Sequence, residues 1–350
     1  MKHITIIDIA NELGISKSTV SRALAGKEDI KEETKKMVLE AAQRMKYKPN
    51  FNAINLVAKR TKTIGVIVPE FVTPFFPTII TGIQDVLDKE GFRVLITQSN
   101  EDCLNEKKNI NLMEDYMVEG IIMSLCRINK NAEEYNRLLN DGIPIVFFNR
   151  TSPNVKTSRV IIDDYNMSFF LVEHLIRAGK RRIAHLSGPN DLCSTIDRKK
   201  GYMDALKKFK IPYDSSLIIE SGIDIPDGER AIKELINQEI EFDAIFGFND
   251  PVAIGAMKFL KKQNLRIPED VAVAGFSGTT TSTLLDPPLT SVEQPLYEMG
   301  KIAAELMIEK IKNPSAPDRT IILNAQLRIM ESTIKKDNFF SSSSPSLSCP

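Results

Sequence analysis

The chain opens with two runs of apolar residues at helical spacing, over residues 5–13 and 16–24. Thr5 stands where an N-cap is expected, with an acidic side chain three positions later, a loose form of the capping box. Ser16 stands in the same place before the second run. Gly14 lies between them, where a helix ends most easily in the left-handed conformation. The pattern predicts two short helices joined by a tight turn.

The second predicted helix has two unlike faces. Val20, Ala23 and Leu24 form the apolar face. The other face carries only small polar and basic side chains: Lys17, Ser18, Thr19, Ser21 and Arg22. Such a helix can enter the major groove of DNA as a recognition helix. The alternative for this segment alone is a surface helical hairpin with a solvated charged face.

From residue 63 onward, short β-branched runs alternate with amphipathic helical stretches. The predicted strands are Ile64–Val68, Arg93–Ile96, Gly120–Met123, Pro144–Phe148, Arg159–Ile162, Arg182–Leu186, Ala244–Phe248 and Val271–Gly275. The predicted helices are Phe76–Lys89, Glu106–Met117, Ala132–Asp141, Met167–Gly179, Arg198–Phe209, Gly228–Gln238, Val252–Gln263 and Leu296–Lys312. This alternation predicts parallel sheets built from right-handed crossover units.

Charge is distributed unevenly along a chain whose total is neutral. The 350 residues carry 46 basic and 46 acidic side chains. Residues 1–62 hold 13 basic against 7 acidic side chains, and the remainder holds 33 against 39. A basic head on an acidic body directs the head toward phosphates. The charge distribution therefore favours a nucleic-acid partner for the head alone.

Other sequence features point to a cytoplasmic protein. The N-terminus has no apolar secretory segment, and no stretch is long and apolar enough to cross a membrane. The four cysteines have neither metal-binding spacing nor a small secreted scaffold around them, so reduced thiols are expected. They are Cys103, Cys126, Cys193 and Cys349. No metal or cofactor is expected.

Several dispersed blocks resemble the LacI/GalR family of bacterial transcription regulators, and the resemblance runs to about Glu331. The matching blocks are Asp8-Ile9-Ala10, Gly14-Ile15-Ser16, Thr19-Val20-Ser21-Arg22, Tyr47-Lys48-Pro49-Asn50 and the Ala53/Leu56 pair. The resemblance implies an all-α helix-turn-helix head plus an α/β periplasmic-binding-protein-like (type I) core of two doubly wound parallel-sheet subdomains.

The resemblance also implies a domain division. Residues 1–49 form the DNA-binding head, residues 50–62 a hinge helix and linker, and residues 63–335 the effector-binding and dimerisation core. We expect an N-subdomain of about 63–163 and 293–324 and a C-subdomain of about 164–292 plus 325–335. The remaining residues, 336–350, end in a Ser/Pro-rich run without heptads and are expected to be a disordered tail.

The head's DNA contacts follow residue by residue from the family. Lys17, Ser18 and Arg22 match its base-reading positions, and Thr5, Ser16, Thr19 and Ser21 look like phosphate or positioning contacts. The short segment from Asn50 is expected to order as a helix only with DNA and a partner chain. Ala53 and Leu56 lie on one of its faces, and the family's leucine wedges into the minor groove. A homodimer reading near-palindromic operator DNA is the expected assembly.

Three stretches near strand ends are candidates for a ligand site, because open parallel sheets bind ligands at the carboxyl ends of their strands. The first contains Phe75 and Phe76, with core packing as the alternative for Phe76. The second contains Arg198, predicted to open a helix and matching the family's effector-binding arginine. The third contains Asn249, the expected ligand contact, and Asp250, for which a helix cap is preferred.

The chain departs from the family at two positions. Ser277 and Asn149 stand where the family commonly has aspartates, so we expect a neutral polar cleft that also tolerates sugar phosphates and sugar acids. Asp163, Asp164 and Gln294 lie near predicted crossings between the subdomains, where each lines the cleft or anchors a hinge. Gln294 is taken as an effector contact.

These expectations combine into one function. The protein is expected to be a transcriptional repressor whose operator affinity is controlled by a sugar, sugar phosphate or sugar acid bound between two lobes. The alternatives are an activator or dual regulator on the same scaffold, or a periplasmic solute-binding protein, which has no use for the head. No catalytic residue is expected, because phosphate-cradling glycine motifs are absent and His174 reads as a packed helix residue.

Overall fold

The computed structural model describes residues 4–47, 61–127 and 130–334. The chain divides into two compact units, residues 1–61 and residues 62–350. The hinge residues Asn50, Ala53 and Leu56 and the predicted tail lie outside the described residues, so their roles stay predictions.

Over residues 4–47 the first unit contains three helices: α1 (Ile6–Leu13), α2 (Lys17–Leu24) and α3 (Glu32–Arg44). Their apolar faces meet in a small core that includes Ile9, Val20 and Val38, each fully buried. Gly14 ends α1 with φ +65°, the left-handed conformation that glycine adopts without steric cost. The predicted helix–turn–helix pattern is confirmed.

The second unit is built from two six-stranded sheets covered by helices. Its strands are β1 (Thr63–Val68), β2 (Arg93–Gln98), β3 (Gly120–Met123), β4 (Ile145–Phe148), β5 (Ser158–Ile162), β6 (Ile183–Ser187), β7 (Ile218–Glu220), β8 (Ala244–Gly247), β9 (Ala272–Ser277), β10 (Thr290–Glu293), β11 (Thr320–Leu323) and β12 (Gln326–Arg328). Its helices are α4 (Phe75–Lys89), α5 (Cys103–Asp115), α6 (Ala132–Asn140), α7 (Asp164–Arg177), α8 (Cys193–Lys208), α9 (Ile225–Asn237), α10 (Asp250–Lys262), α11 (Thr280–Thr283) and α12 (Leu296–Lys312).

The strand orders are β11-β5-β4-β3-β1-β2 in the first sheet and β12-β10-β9-β8-β6-β7 in the second. All strand pairs are parallel except β12, which runs antiparallel to β10. We call the part built on the first sheet the N-lobe and the part built on the second the C-lobe. The predicted α/β architecture of two parallel-sheet subdomains is therefore confirmed, with one antiparallel edge strand.

The chain crosses between the sheets three times: after Ile162, after Glu293 and after Leu323. We call these connections the crossover segments. Apolar strand residues are buried against helices on both faces of each sheet, as a doubly wound fold requires. The carboxyl ends of the strands carry the loops that form the site described below.

Several helices begin earlier than their apolar pattern predicts. α8 starts at Cys193, so Arg198 lies inside the helix, and the prediction that this residue opens the helix is wrong. α5 begins after Asp102, whose carboxylate accepts from two backbone N–H groups of its first turn. In both first turns the apolar side chain is exposed, Ile196 in α8 and Leu104 in α5, so these turns do not extend the buried apolar stripe from which the helices were predicted.

Candidate functional site

Both α1 and α2 begin with a side-chain cap. The Thr5 hydroxyl accepts from Asp8 N–H while the Asp8 carboxylate accepts from Thr5 N–H at 2.7 Å, a complete capping box. Ser16 Oγ accepts from Thr19 N–H at 3.0 Å and caps α2. These bonds satisfy N–H groups that a helix start leaves unpaired. They fix the direction in which α2 presents its outer face.

The outer face of α2 is open to solvent, as a reading surface must be. Lys17, Ser18, Ser21 and Arg22 are exposed, while Val20 and Ala23 hold the opposite face in the core. Arg22 forms an ion pair with Asp29, and both side chains are about half exposed. An exposed pair of this kind contributes little free energy, so Arg22 can exchange it for a guanine edge at low cost.

A cleft of about 670 Å³ lies between the N-lobe and the C-lobe. This volume suits a small-molecule ligand. All seven residues predicted to contact an effector line it: Phe75, Phe76, Asn149, Arg198, Asn249, Ser277 and Gln294. They lie at strand ends and in the first two turns of helices in both lobes. Residues distant in sequence converge there because the carboxyl ends of parallel strands lie at one edge of each sheet.

Arg198 is the most tightly held of these side chains. It is 5 % exposed, and its Nε donates to the Asp164 carboxylate at 2.8 Å while Nη1 donates to the Phe248 carbonyl. Its guanidinium lies over the rings of Phe276 and Phe248, 3.7 Å and 4.6 Å from their centroids. Burial lowers the pKa of Arg198, and the facing Asp164 carboxylate opposes that shift. A guanidinium has five N–H donors, and those that remain are available to a ligand.

The residue that caps α10 differs from the prediction. Asn249, and not Asp250, is the N-cap of α10: its side-chain oxygen accepts from Val252 N–H at 2.9 Å. Its amide nitrogen donates to the Ile223 carbonyl. The expected cap role of Asp250 is therefore wrong. The Asp250 side chain instead turns inward, toward the loop that follows Ser277.

Asp250 is a buried carboxylate with a full set of donors. It accepts from Ser291 Oγ, from Gly278 N–H at 3.0 Å and from Thr279 N–H at 3.3 Å. Burial raises its pKa to about 6, although these hydrogen bonds act in the opposite direction. A carboxylate in the first helical position satisfied by three donors is a structural anchor for the cleft wall.

Three neutral side chains keep free hydrogen-bonding groups in the cleft. Among the described residues, the side-chain amides of Asn149 and Gln294 and the hydroxyl of Ser194 have no hydrogen-bond partner. Gln294 is only 6 % exposed, so its amide is held in place by packing. Ser277 donates its hydroxyl to the Phe276 carbonyl, and its oxygen accepts a long hydrogen bond of 3.5 Å from the Asp250 N–H, which leaves one lone pair as an acceptor. Together these groups can bind a compact ligand rich in hydroxyls.

The expectation of a neutral polar cleft is wrong. Four carboxylates and three guanidiniums line it: Glu70, Glu101, Asp224, Asp250, Arg127, Arg150 and Arg198. Arg150 is paired with Glu101 at 2.8 Å, and Glu70 accepts from Thr73. The absence of aspartates at positions 149 and 277 therefore does not remove negative charge from the cleft. The residues at these two positions therefore do not support the predicted tolerance of the cleft for anionic ligands.

Most of these charged residues, and Ser194, were missed in reading the sequence. Glu101 and Arg127 follow β2 and β3 closely, and Arg150 follows β4. The strand-end rule that selected Asn249 applied equally to them. Of the acids near the first crossover segment, Asp163 caps α7 by accepting from Asn166 N–H, and Asp164 pairs with Arg198.

Within the described ranges, no group of histidine, cysteine and acidic side chains is arranged to hold a metal ion. Nor does any helix that the structure describes have the length and apolar character needed to cross a membrane.

Two family descriptions match the chain. "Bacterial regulatory proteins, lacI family" matches residues 5–50, and "Periplasmic binding proteins and sugar binding domain of LacI family" matches residues 61–331. The chain belongs to the LacI family. It is a DNA-binding transcriptional regulator with a core of the sugar-binding type.

Relatives of known name cover the LacI-family chain almost completely. Catabolite control protein A of Priestia megaterium is 30% identical over 332 residues, which is 95% of this chain and 99% of the relative. The solved transcriptional regulator CelR–cellobiose complex is 27% identical with a TM-score of 0.72, over 94% of this chain and 100% of the other. The Lac repressor dimer bound to operator and the anti-inducer ONPF, 24% identical, has a TM-score of 0.84 over 95% and 100% of the two chains, which supports the shared fold.

Proposed function

We propose that this LacI-family regulator is a homodimeric repressor whose operator affinity is controlled by a sugar bound in the cleft between its lobes. The observation that carries the proposal is the convergence of all seven predicted effector residues on one cleft of ligand size. The exposed, basic outer face of α2 supports the other half, operator reading.

The free groups of the cleft favour a polyhydroxyl ligand. Asn149, Ser194 and Gln294 offer neutral donors and acceptors, and Arg198 offers a planar fork of donors for neighbouring hydroxyls. Phe75 and Phe76 line the same cleft and offer aromatic surface to the apolar face of a sugar ring. Solved relatives are complexes with cellobiose and with ribose by their titles. We therefore place sugars first, and sugar phosphates and sugar acids after them.

In the proposed complex with DNA, each part of the head has its own role. Lys17, Ser18 and Arg22 read bases, while Thr5, Ser16, Thr19 and Ser21 position the head on the phosphate backbone. We propose that residues 50–62 form the hinge, in which Asn50 and Ala53 contact the DNA and Leu56 enters the minor groove. Residues 63–335 form the core.

The protein is proposed to act as a dimer in the cytoplasm. One head has a small footprint, so a two-fold dimer reading a near-palindrome gives the needed affinity and specificity. A solved relative is a dimer on its operator by its title. We place part of the dimer surface in the N-lobe region that carries α4, and we place the protein in the cytoplasm, where its DNA target is.

The deciding experiment selects binding sites from random duplex DNA with the full-length protein. It is run alone and with each of a panel of sugars, sugar phosphates and sugar acids. A near-palindrome with a flexible pyrimidine–purine step at its centre supports the dimeric reader. A sugar that changes occupancy identifies the effector, and transcription in vitro from the selected site gives the sign. Enrichment of single half-sites, or indifference to every sugar, contradicts the proposal.

A further inference from the structure

Arg328 joins three parts of the C-lobe. It is the last residue of β12, the strand that follows the third crossover segment. Its Nη1 is 3.1 Å from the Glu293 carboxylate, and Glu293 is the last residue of β10, where the second crossover segment begins. Its Nη2 donates to the Gly278 carbonyl at 3.1 Å and to Ser282 Oγ at 3.0 Å. One guanidinium thus holds both crossover strands and residues 278–282, which run from the end of β9 into α11 and which we call the loop 278–282.

The loop 278–282 is a wall of the effector cleft. Ser277, Thr279 and Thr281 line the cleft directly. The N–H groups of Gly278 and Thr279 donate to Asp250, which is 1 % exposed and also receives the Ser291 hydroxyl. The loop is therefore tied on its amide side to the cleft floor and on its carbonyl side to Arg328.

The loop also lies directly against the crossover strand. Gly278 has φ +66°, and a Cβ at this position would collide with the Cα of Glu293. Only glycine allows this approach, because the conformation is left-handed and the space is already filled. A shift of the Glu293 backbone is thus transmitted to the loop by contact as well as by hydrogen bonds.

Placing Arg328 in this network costs more free energy than forming a surface ion pair, because one of its donors is buried without a partner in the described part of the chain. Its Nε is buried and has no acceptor among the described residues, while both terminal nitrogens have partners. An unpaired buried donor destabilises a fold. An apolar side chain on this strand would avoid that cost, which suggests that the directional bonds serve the site.

We infer that Arg328 is a positioning residue for the effector cleft, which makes the wall 278–282 and the crossover strands β10 and β12 move as one piece. The inference rests on the proposed effector control of this cleft. When the lobes rotate, the chain must bend at the crossover segments, and Arg328 passes that change to the residues that contact the ligand. By linkage, operator binding by the head alters the cleft wall through the same bonds.

The test compares four full-length proteins by backbone hydrogen exchange: wild type, Arg328→Met, Arg328→Lys and Arg319→Met. Met fills the space of the arginine stem without donors, and Lys keeps the charge beside Glu293 but has one nitrogen in place of a fork. Arg319 is the matched control, because it precedes β11 and pairs with the exposed Glu309 on the surface. Each protein is measured alone and with the duplex enriched in the selection experiment.

We expect exchange over residues 277–283 and 292–296 to rise about tenfold in Arg328→Met, because charge-assisted bonds are lost there. Arg328→Lys should be intermediate, and Arg319→Met should match wild type. Bound duplex should change exchange of the wall 278–282 in wild type but not in Arg328→Met. A merely structural role would raise exchange throughout the C-lobe and leave the response to DNA intact, which would overturn the inference.

If Arg328→Met does not fold, two other variants test the inference. Arg328→Lys and Glu293→Gln each keep part of the network, and either should weaken the response of the wall to DNA. A full wild-type response in both overturns the inference. If no duplex is enriched, the proposed function fails, and exchange in the absence of DNA still shows whether Arg328 holds the wall to the crossover strands.

Discussion

The guanidinium of Arg198 stacks on the ring of Phe276, 3.7 Å from its centroid, at the base of the cleft between the two lobes. Phe276 directly precedes Ser277, and Arg198 lies inside α8, so the contact joins two elements of the C-lobe wall. Stacking fixes the plane of the guanidinium, and the Asp164 pair fixes its rotation. Hydroxyl recognition needs donors fixed in this way, since each free torsion of a donor weakens binding.

The first prediction concerns this fixed fork. Arg198→Lys should weaken effector binding by about 10- to 100-fold, because it removes bidentate, charge-assisted hydrogen bonds. Titration calorimetry with the sugar identified by selection measures it. Arg177→Lys is the matched control, since Arg177 also pairs with an acid, Glu173, and lies over an aromatic ring, Phe209, outside the cleft. Equal affinity in wild type and Arg198→Lys would contradict the assigned role.

A second prediction concerns base reading by the head. Arg22→Ala should lower the preference for operator over random duplex by about 10- to 100-fold, since a bidentate contact to guanine discriminates by about 1–3 kcal/mol. Salt-dependent nonspecific binding should largely remain. Fluorescence anisotropy on both duplexes measures the ratio. Arg44→Ala, which removes another exposed ion-paired arginine of the head, serves as the control. Full discrimination by Arg22→Ala would disprove the recognition-helix assignment.

A third prediction concerns pH. Burial lowers the pKa of His174 and of His185 to about 4, so both imidazoles should be neutral down to about pH 5. The unfolded chain binds protons at these sites from about pH 6.5 downward, so their contribution to stability is complete above pH 6.5 and is lost as pH falls toward 4.

The measurement for the histidines is the pH titration of their ring carbon signals by NMR. His185→Phe assigns one signal, because this ring stacks between Tyr202 and Phe246 and an aromatic replacement keeps the packing. Stability curves alone are ambiguous, since the raised pKa of Asp250 acts with the opposite sign between about pH 4 and 6. Midpoints between pH 6 and 7 for both rings would refute the prediction.

A fourth prediction concerns the contact of α4 with α12. A Cβ at Gly300 would collide with the Ile79 carbonyl, and one at Gly82 with the Tyr297 carbonyl. Gly300→Ala should therefore lower the free energy of unfolding by about 1–3 kcal/mol through overpacking. Urea denaturation measures it. Glu305→Ala, which changes an exposed side chain of the same helix, should change stability by less than about 0.5 kcal/mol. A neutral Gly300→Ala would show that the helices separate easily.

The sequence predicted the long, regular elements well because burial imposes a period on them. The eight strands expected from β-branched runs are all present within a few residues. Four strands were missed. β7, β11 and β12 are three- or four-residue edge strands that are only partly buried, and β10 reads Thr-Ser-Val-Glu, without an apolar run. Short or polar strands form because a neighbouring strand supplies their hydrogen bonds. The local sequence does not show which strand that neighbour is, so such strands cannot be predicted from it.

The site shows the same division between local and tertiary information. Arg198 and Asn249 were predicted from motifs and Gln294 from its place near a predicted crossing between the subdomains, and all three line the cleft. The network of Asp250 with Ser291, Gly278 and Thr279 was not predicted, because its members lie up to 41 residues apart and meet only where the strands align.

By itself the sequence determined the helix–turn–helix head and the alternating α/β body, and it supplied the residues proposed to bind DNA and ligand. Periodicity, caps and strand ends depend on neighbours along the chain, so they can be predicted from the sequence. Only the tertiary structure decided which charges face the cleft, that Asn249 and not Asp250 caps α10, and that Arg328 reaches the cleft wall. Those outcomes depend on which side chains meet across sheets. A buried polar group takes whichever partners that packing brings within hydrogen-bond distance.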